Sequence, residues 1–470
     1  MSILDPHRKM SHPPLEGGVE VTRLVDTYFN AYNGARLREA CQLFVKLIEE
    51  DASIGVTLAG ALTPAGLGAV LVPLIRAGFV DYIASTGANL YHDLHFTLGY
   101  PLYRSTAQVA SGAVDVELRK KGIIRIYDVL FDQKVLLETD DWLYRTLLKD
   151  EFRKTMGTSE LHHRVGAHAL EEARSRGIAP PVLATCHECD VPIYAPSPGD
   201  STVGMNVSAV WTARPELAPV VNPAIDVAET AAIVLDAKRG GRPSAVVIFG
   251  GGAPKNFLLQ TEPQLQEVLG IDERGHDYFI QVTDARPDTG GLSGATPSEA
   301  VSWGKIDPDQ LPNTVVCYAD STIAMPLIAA YALSKAKPRP LRRLYRRMPE
   351  LVEQLREEHR GTSLYRERWG ERVASEGPPR PDRARKTWTP PPPRCPSRDR
   401  RSSTRPGGKP GRSGLAPASR DGGRTTGSRA KPSPSRWSRG PWCQAARRPS
   451  GSPISSPPAS MRRAAASGGY

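Results

Sequence analysis

The stretch that decides the fold is residues 54–85, IGVTLAGALTPAGLGAVLVPLIRAGFVDYIAS. It opens with an apolar run, residues 54–59, and continues through a Thr-Pro pair into a second apolar segment, residues 64–77. A third run, residues 80–85, ends it. The outer runs have the length of buried strands and the middle segment has the length of a helix. Short connections between strand, helix and strand predict a βαβ unit of a parallel sheet.

The same stretch permits a second interpretation, because residues 56–75 are uncharged over the length of a membrane span. Pro64 and Pro73 interrupt this segment. A threonine followed by proline is typical of a helix N-terminus, with Thr63 as the cap and Pro64 as the first helical residue. We therefore predict a strand, a turn and a buried helix here, and no membrane association.

The alternation of strands and helices extends on both sides of this unit. A long amphipathic helix is predicted at residues 21–50, and a polar, mainly helical region at residues 91–178 would cover the sheet or build a subunit interface. Further strands are predicted at residues 182–185, 192–194, 245–249, 278–282 and 315–318, and further helices at residues 224–237, 254–269, 297–304 and 323–334. This pattern predicts an α/β fold with a doubly wound, mostly parallel Rossmann-like sheet, helices on both faces, and ligands at the carboxyl ends of the strands.

The charge of the chain is unevenly distributed. The net charge is +11, yet residues 377–470 contain 21 Lys and Arg against three acidic residues, a net charge of +18, which leaves −7 for the rest. An acidic body suits a cationic ligand better than a polyanion. Residues 377–470 are rich in Pro, Arg, Gly and Ser, and we predict a disordered basic tail that binds nucleic acid at most non-specifically. A phosphate-binding arm and an out-of-frame translation are the alternatives.

The six cysteines are scattered along the chain, and its N-terminal residues lack the apolar core of a signal peptide. Both features predict a cytoplasmic protein. Cys186 and Cys189 have CxxC spacing. A metal site needs a second ligand pair, which is absent nearby, and a redox role would place the pair at the start of a helix. We therefore predict no metal site.

Several polar or glycine-rich turns follow predicted strands. The turn FGGGAPK, residues 249–255, allows a backbone to approach a pyrophosphate closely, although a tight strand-to-helix turn explains it equally well. Thr86 and Gly87 follow another strand and suit either cofactor contacts or ordinary turn chemistry. Asp320 follows a third strand, where it would accept hydrogen bonds from a ribose or cap the next helix. Asp200 lies in a Pro/Gly-rich loop, where functional and purely structural carboxylates both occur.

The stretch TPSEAVSWGKI, residues 296–306, begins with a capping box in which Thr296 caps a helix and Glu299 reaches back to it. This box explains the glutamate but not Lys305. A lysine packed beside Trp303 would lose water, so that its pKa would fall and it would become an imine-forming nucleophile. An ordinary surface lysine is the alternative.

The segment SEAVSWGKI resembles the deoxyhypusine synthase family, whose hallmark is an acidic residue followed by AVSWGKI with the lysine as nucleophile. The resemblance extends over about residues 21–337. Supporting matches are the three glycines 250–252 with a lysine three residues on, the DxxxG of residues 200–204, Thr86 and Asp93, and the YAD of residues 318–320. The resemblance implies an NAD-binding catalytic domain at residues 21–340, between a loose leader at 1–20 and a C-terminal helical extension at 341–376.

The resemblance also implies an activity. Family members are homotetramers that bind NAD, oxidise spermidine to an imine and release 1,3-diaminopropane. A lysine holds the remaining aminobutyl group as an imine until an acceptor amine takes it. The residues implied are Lys305 as nucleophile, Glu299, Trp303 and Asn256 in the amine site, and Thr86, Gly87, Asp200, Asp284, Asp320 and Ser321 as NAD contacts.

This sequence departs from the family pattern at several positions of the expected amine site. Met205, Leu292 and Tyr91 stand where the family has acids, and Asn256 stands where it has a catalytic histidine. His92 replaces a further acid and is predicted to take over the missing histidine's proton transfer. Fewer carboxylates mean fewer charge-assisted hydrogen bonds to a trivalent cation. We therefore predict a less charged polyamine donor, or a small diamine acceptor as in homospermidine formation; a fold that binds NAD without catalysis is the alternative.

Overall fold

A computed structural model describes residues 9–10, 12–106 and 114–376 of the chain. Residues 1–8 and 11 of the predicted leader and the whole predicted tail, residues 377–470, lie outside the described residues. The strands are β1 (Ser53–Leu58), β2 (Tyr82–Ser85), β3 (Tyr103–Arg104), β4 (Ile123–Ile126), β5 (Val129–Asp132), β6 (Thr155–Met156), β7 (Ile193–Tyr194), β8 (Val220–Val221), β9 (Ser244–Phe249), β10 (Tyr278–Thr283) and β11 (Thr314–Tyr318).

The helices occupy most of the segments between these strands. They are α1 (Val21–Tyr28), α2 (Tyr32–Glu49), α3 (Gly68–Arg76), α4 (Gly87–Thr97), α5 (Asp115–Lys120), α6 (Gln133–Leu147), α7 (Thr158–Ser175), α8 (Val182–Cys189), α9 (Thr202–Ala213), α10 (Pro223–Arg239), α11 (Gly252–Leu259), α12 (Pro297–Ser302), α13 (Ser321–Lys335), α14 (Leu344–Gly361) and α15 (Ser363–Glu376). After α11 the chain continues through the short helical segments Thr261–Pro263 and Gln264–Val268.

The main sheet has six strands in the order β7-β2-β1-β9-β10-β11, and every neighbouring pair is parallel. From β1 the chain builds outward through β2 to β7, then returns to the other side of β1 with β9 and continues to β11. The direction of winding therefore reverses between β1 and β9. In doubly wound folds this reversal opens a crevice at the carboxyl ends of the two strands, where ligands bind. The predicted fold class is confirmed.

Helices cover both faces of this sheet, because the strand side chains alternate between two apolar clusters. In β9, Val247 and Phe249 point into a cluster with residues of α2, α3 and α13, whereas Val246 and Ile248 point into one with residues of α10, α11 and α14. Strands buried on both faces read as continuous apolar runs, which is why β1, β9 and β10 are recognisable from the sequence.

The predicted strand at residues 182–185 is wrong, because these residues begin helix α8. A short apolar run does not by itself distinguish a strand from a buried helix. The capping group comes from a distant part of the chain: the Asp93 carboxylate accepts hydrogen bonds from Val182 N at 3.0 Å and Leu183 N at 2.8 Å. A local sequence pattern does not contain this contact.

Two other predicted helices differ from the structure. The helix predicted at residues 21–50 is divided into α1 and α2, and Asn30 in the break donates a side-chain hydrogen bond to Thr27 O. In the uncharged stretch, a 3₁₀ turn (Thr63–Ala65) precedes α3, and Thr63 Oγ1 donates to Asn89 O instead of capping a helix. The stretch is thus split among a strand, a turn and a helix, and no helix of the described chain is long and apolar enough to cross a membrane.

Replacing Asp93 with alanine should lower the free energy of unfolding by about 2–4 kcal/mol, because two buried amides of α8 lose their acceptor. The matched control is Asp132→Ala. Asp132 caps α6 through Lys134 N but is exposed, so water replaces the lost bond and the loss should be about 1 kcal/mol or less. Denaturant unfolding of both variants measures the difference, and equal losses would contradict the role assigned to Asp93.

Candidate functional site

The carboxyl ends of β1 and β2 bring three of the predicted cofactor residues together. Thr86 N donates to Leu58 O at the end of β1, and Thr86 Oγ1 donates to Gly60 O at 2.5 Å. Gly87 begins α4 in contact with Ser201, so near that a side chain at position 87 would collide with the serine. Asp200 precedes this serine and is exposed. Thr86, Gly87 and Asp200 therefore lie at the edge of the sheet where the winding reverses.

The other three predicted cofactor residues follow the next strands along the same edge. Asp284 comes directly after β10, and Asp320 and Ser321 come after β11. Asp320 Oδ1 accepts hydrogen bonds from Thr322 N and Thr322 Oγ1, both at 2.6 Å, so this aspartate caps α13. These bonds from Thr322 lower the pKa of Asp320, which keeps an exposed, charged carboxylate at the sheet edge.

The glycine turn after β9 is shaped first by contacts within the protein. A Cβ at Gly251 would lie 2.5 Å from Ser293 Cα, and Gly252 N donates to Ser293 Oγ at 2.9 Å. The glycines of the turn therefore allow the loop that follows β10 to pack closely against it. Room for a ligand remains beside it, because a Cβ at Gly252, or at Gly60 after β1, would meet no atom within 4 Å. Open backbone at the reversal of winding fits a dinucleotide.

Lys305 lies in a separate pocket of about 280 Å³ between α11 and α12. Its Nζ lies 3.1 Å from Asn256 Oδ1 and 5.5 Å from the centre of the Trp303 ring. The residues that line the pocket are Lys255, Asn256, Leu259, Gln260, Leu292, Ala295, Glu299, Ala300, Trp303 and Lys305. The predicted amine-site residues Glu299, Trp303 and Asn256 are thus brought together around the predicted nucleophile.

Local structure explains the position of the lysine. Thr296 Oγ1 accepts from Glu299 N at 3.2 Å and starts the short helix α12. The helix ends at Ser302, and the turn that follows it contains Gly304, whose φ of +67° suits glycine. Gln266 Nε2 donates to Gly304 O, and Lys305 O accepts from His276 N, so the backbone on both sides of the turn is fixed. Among the described residues, the Glu299 carboxylate does not accept a hydrogen bond from Thr296 N, so the second half of the predicted capping box does not form. Glu299 lines the pocket instead.

Opposing influences set the ionisation of Lys305. Burial lowers the pKa of its ammonium group, whereas the nearby Glu299 and Glu267 carboxylates raise it. The lysine is half-buried, and Trp303 remains 59% exposed. The interpretation as a partly desolvated lysine with a lowered pKa therefore fits better than that of an ordinary surface lysine. The pocket is not enclosed within the single chain.

His92 lies outside the Lys305 pocket. Its Nδ1 is 3.0 Å from His95 Nε2, and its ring packs edge-on against Tyr91 and Phe131. Burial lowers the pKa of His92 to about 4, so the ring is neutral at pH 7. His92 is absent from the residues that line the Lys305 pocket, as are Thr86, Asp200 and Asp320. Within the described residues, the lining of the Lys305 pocket therefore includes none of the predicted cofactor residues.

Lys255, the lysine three residues after the glycines, was not predicted to be a site residue. This lysine is 2% exposed and lines the pocket beside Lys305. Its signal in the sequence was a charged residue within an otherwise apolar helix start, PKNFLL. The partners that explain it, Gln281 on β10 and the backbone of the loop at Ser293, are not visible in a local pattern.

The CxxC pair lies in α8, and both sulfur atoms are buried thiols. Burial raises the pKa of Cys186 well above its usual range and also raises that of Cys189, so both stay protonated. The pair occupies the second half of the helix, where the helix dipole does not lower a thiol pKa. These thiols have the character of core residues.

Comparison with known proteins places this geometry in a family. The model of the family described as deoxyhypusine synthase matches residues 23–332. The deoxyhypusine synthase-like proteins of Nostoc punctiforme and Thermosynechococcus vestitus are 54% and 56% identical over 355 and 350 residues, which is 75% and 73% of this chain and 90% and 86% of those proteins. The chain belongs to the deoxyhypusine synthase family.

More distant relatives of this deoxyhypusine synthase family member occur in archaea. A protein of Archaeoglobus fulgidus named "Probable deoxyhypusine synthase 2" is 34% identical over 299 residues, 63% of this chain and 93% of that protein. The family is one of transferases. The match begins at residue 23 and ends at residue 332, so it includes every strand of the main sheet and the Lys305 pocket.

The resemblance predicted acids at positions 205, 292 and 91, and these three positions lie in different parts of the structure. Leu292 is 52% exposed and lines the Lys305 pocket, and Met205 is 64% exposed on α9. Tyr91 is buried, and its hydroxyl donates to Asp140 Oδ1 at 2.8 Å. Of these three positions, Leu292 is therefore the one that lines the lysine pocket.

Replacing Glu299 with glutamine should lower the pKa of Lys305 further, because the carboxylate stabilises the ammonium form. An amine-selective reagent should then modify Lys305 about two- to threefold faster at pH 7.5, a modest effect because Glu299 is exposed. Peptide mass spectrometry of briefly labelled protein measures the rate. Glu350→Gln, an exposed glutamate on α14, is the control that should change nothing, and a slower rate in Glu299→Gln would contradict the assignment.

Proposed function

We propose that this protein is an NAD-dependent transferase that moves an aminoalkyl group from a polyamine donor to an amine acceptor, with Lys305 as the covalent carrier. Membership of a transferase family supports the reaction class. The observation that carries the proposal is the Lys305 pocket: a half-buried amine with a lowered pKa, an amide at 3.1 Å, and an aromatic ring and a carboxylate beside it. A lysine that serves only solubility needs none of these neighbours.

The sheet edge supports the use of NAD. Thr86, Gly87 and Asp200 would hold the cofactor near the reversal of winding, and Asp284, Asp320 and Ser321 would contact it farther along the edge. Asp320 has one carboxylate oxygen engaged in capping α13, which leaves the second to accept from a ribose hydroxyl. When bound, NAD would accept a hydride from the donor amine and later return it.

The covalent steps then involve three amines: the donor, Lys305 and the acceptor. Loss of a hydride from the donor carbon and of a proton from its nitrogen leaves an imine. Neutral Lys305 adds to this carbon, the bond from the carbon to the donor nitrogen breaks, and both protons of the lysine amine pass to the leaving diamine, so that the group is held as a lysine imine. The acceptor amine displaces Lys305 in the same way, and the returned hydride reduces the new imine, so oxidation and reduction balance. Covalent capture protects the imine from water between the two half-reactions.

The charges of the pocket indicate the class of donor. Glu299 is the one carboxylate among the lining residues, against Lys255 and Lys305, and Leu292 stands where the resemblance predicts an acid. A trivalent cation would find few partners here. We therefore propose a donor with fewer charges than spermidine, or a small diamine acceptor that yields a homospermidine-like product.

The openness of the Lys305 pocket, whose described lining includes none of the predicted cofactor residues, supports assembly into a homo-oligomer, which the resemblance predicts to be a tetramer. Trp303 and Leu292 are more than half exposed beside Lys305, and Ile323 is 64% exposed in the first turn of α13. Exposed large apolar side chains beside a reactive group suit burial by another subunit. A second copy seated on these side chains would enclose the lysine pocket.

The proposal predicts that Lys305→Ala loses turnover by at least about a thousandfold and keeps its affinity for NAD, because the lysine carries the group but does not hold the cofactor. Incubation of the wild-type protein with NAD and a panel of polyamines, followed by borohydride reduction, should add the mass of the transferred group to the Lys305 peptide. Product masses from the same incubation identify donor and acceptor.

Lys134→Ala, an exposed lysine on α6, is the control that should behave as the wild type. Full turnover in Lys305→Ala would refute the covalent mechanism. NAD binding without product from any amine of the panel would instead favour the alternative, a protein that binds NAD without catalysis.

Asp320→Asn should weaken NAD binding about tenfold, because a neutral amide accepts from ribose hydroxyls less strongly than a carboxylate. Asparagine still caps a helix, so α13 should stay intact. Asp132→Asn, with the same capping contact on α6, is the matched control. Titration calorimetry measures both affinities, and an unchanged affinity in Asp320→Asn would remove this residue from the cofactor site while leaving the lysine chemistry untouched.

A further inference from the structure

Lys255 is a buried cation held on three sides by oxygen atoms. Its Nζ donates to Gln281 Oε1 at 2.9 Å, to Ser293 O at 3.3 Å and to Ala295 O at 2.6 Å. The side chain is 2% exposed, yet it forms no ion pair within the described residues. A buried ammonium that is bonded only to neutral oxygens calls for an explanation, because burial of a charge without a counter-charge is costly.

The three acceptors determine which form of Lys255 is present. A neutral amine has two hydrogens and would leave one of the three oxygens facing its lone pair, whereas an ammonium satisfies all three. Burial lowers the pKa of Lys255 to about 8, with Lys305 acting in the same direction and Glu299 opposing both. Even at this lowered value the group is mostly protonated at pH 7. The pocket floor therefore carries a fixed positive charge.

We propose that Lys255 is a positioning residue whose positive charge favours the neutral, nucleophilic form of Lys305. Repulsion between two ammonium groups is mutual. Because the charge of Lys305 disfavours protonation of Lys255, the charge of Lys255 disfavours protonation of Lys305 to the same extent. Lys255 has three acceptors for its proton, whereas Lys305 has a single amide oxygen, Asn256 Oδ1. The charge of Lys255, held by its three acceptors, therefore disfavours a second charge on Lys305 in the same pocket. The use of the neutral amine in catalysis rests on the proposed function. The electrostatic interaction between Lys255 and Lys305 does not.

The same contacts hold Lys305 in place. Ser293 O accepts from Lys255 Nζ and also from Gln281 Nε2 at 2.8 Å, and Ser293 Oγ accepts from Gly252 N. Ala295 O, the third acceptor, belongs to the residue directly before Thr296, the cap of α12. Lys255 thus joins β10, the loop and the start of the helix that leads to Lys305. The charged groups that act on Lys305 are Lys255 on α11, Glu299 on α12 and Glu267 in the segment Gln264–Val268.

The test measures the ionisation of Lys305 without donor or NAD. In Lys255→Met, which keeps the length of the side chain and removes the charge, an amine-selective reagent should label Lys305 about three- to tenfold more slowly at pH 7.5, with its pH profile moved to higher pH. Gln281→Glu keeps Lys255 but places a carboxylate beside it, so the same direction of change is expected if Lys255→Met does not fold. Melting curves report the folding of each variant.

Lys238→Met is the matched control, since Lys238 is another buried lysine, bonded to Gly275 O and paired with Asp277, that does not line the pocket. It should leave the labelling profile of Lys305 unchanged. A lowered melting temperature with an unchanged Lys305 profile in Lys255→Met and Gln281→Glu would overturn the proposal, as would an equal shift in Lys238→Met. If Lys305→Ala retained turnover while the profile shifted as expected, the proposed function would fail and the electrostatic interaction between Lys255 and Lys305 would stand.

Discussion

The candidate active site depends on the close contact between the glycine turn after β9 and the loop after β10. Only glycine at position 251 allows Ser293 to approach so closely, and Gly252 N then donates to Ser293 Oγ. Gln281 Nε2 reinforces the contact by donating to both Gly250 O and Ser293 O. Because the loop leads into α12, this contact determines where Lys305 lies relative to Asn256. The glycines thus serve the geometry of the lysine pocket as well as the shape of the turn.

The sheet could be predicted from the sequence because parallel strands that are buried on both faces leave continuous apolar runs. The predicted strand at residues 245–249 lies within β9, and the one at 278–282 within β10, with boundaries that differ by a single residue. Helix α8 could not be predicted in this way, since its cap, Asp93, lies about ninety residues earlier in the chain. The division between α1 and α2 was also missed, because the apolar pattern continues through it.

The residues of the lysine pocket could be named from the sequence, since SEAVSWGKI is a specific motif and Asn256 follows a glycine turn. The electrostatic interactions among these residues could not be predicted from the sequence, because they depend on which groups lie together in the folded pocket. In the sequence alone, Lys255 looks like an ordinary helix residue. In the folded chain, Gln281 on β10 and the backbone at Ala295 accept hydrogen bonds from it. His92 shows the opposite case: the resemblance suggested that it takes over the proton transfer of a missing histidine, while its ring lies against His95 and Phe131, outside the Lys305 pocket.

The charges of the pocket connect the chemistry of Lys305 with the choice of substrate. In the proposed mechanism, the positive charge of Lys255 that favours neutral Lys305 also repels a positively charged donor. Glu299 offsets only part of this charge, and because it is exposed its effect is screened. A donor would therefore enter most easily with its reacting nitrogen unprotonated, which is also the form from which a hydride can leave. The replacement of an expected acid by Leu292 is thus compatible with catalysis by Lys305, since it removes affinity for the ammonium form and leaves the amine form unaffected.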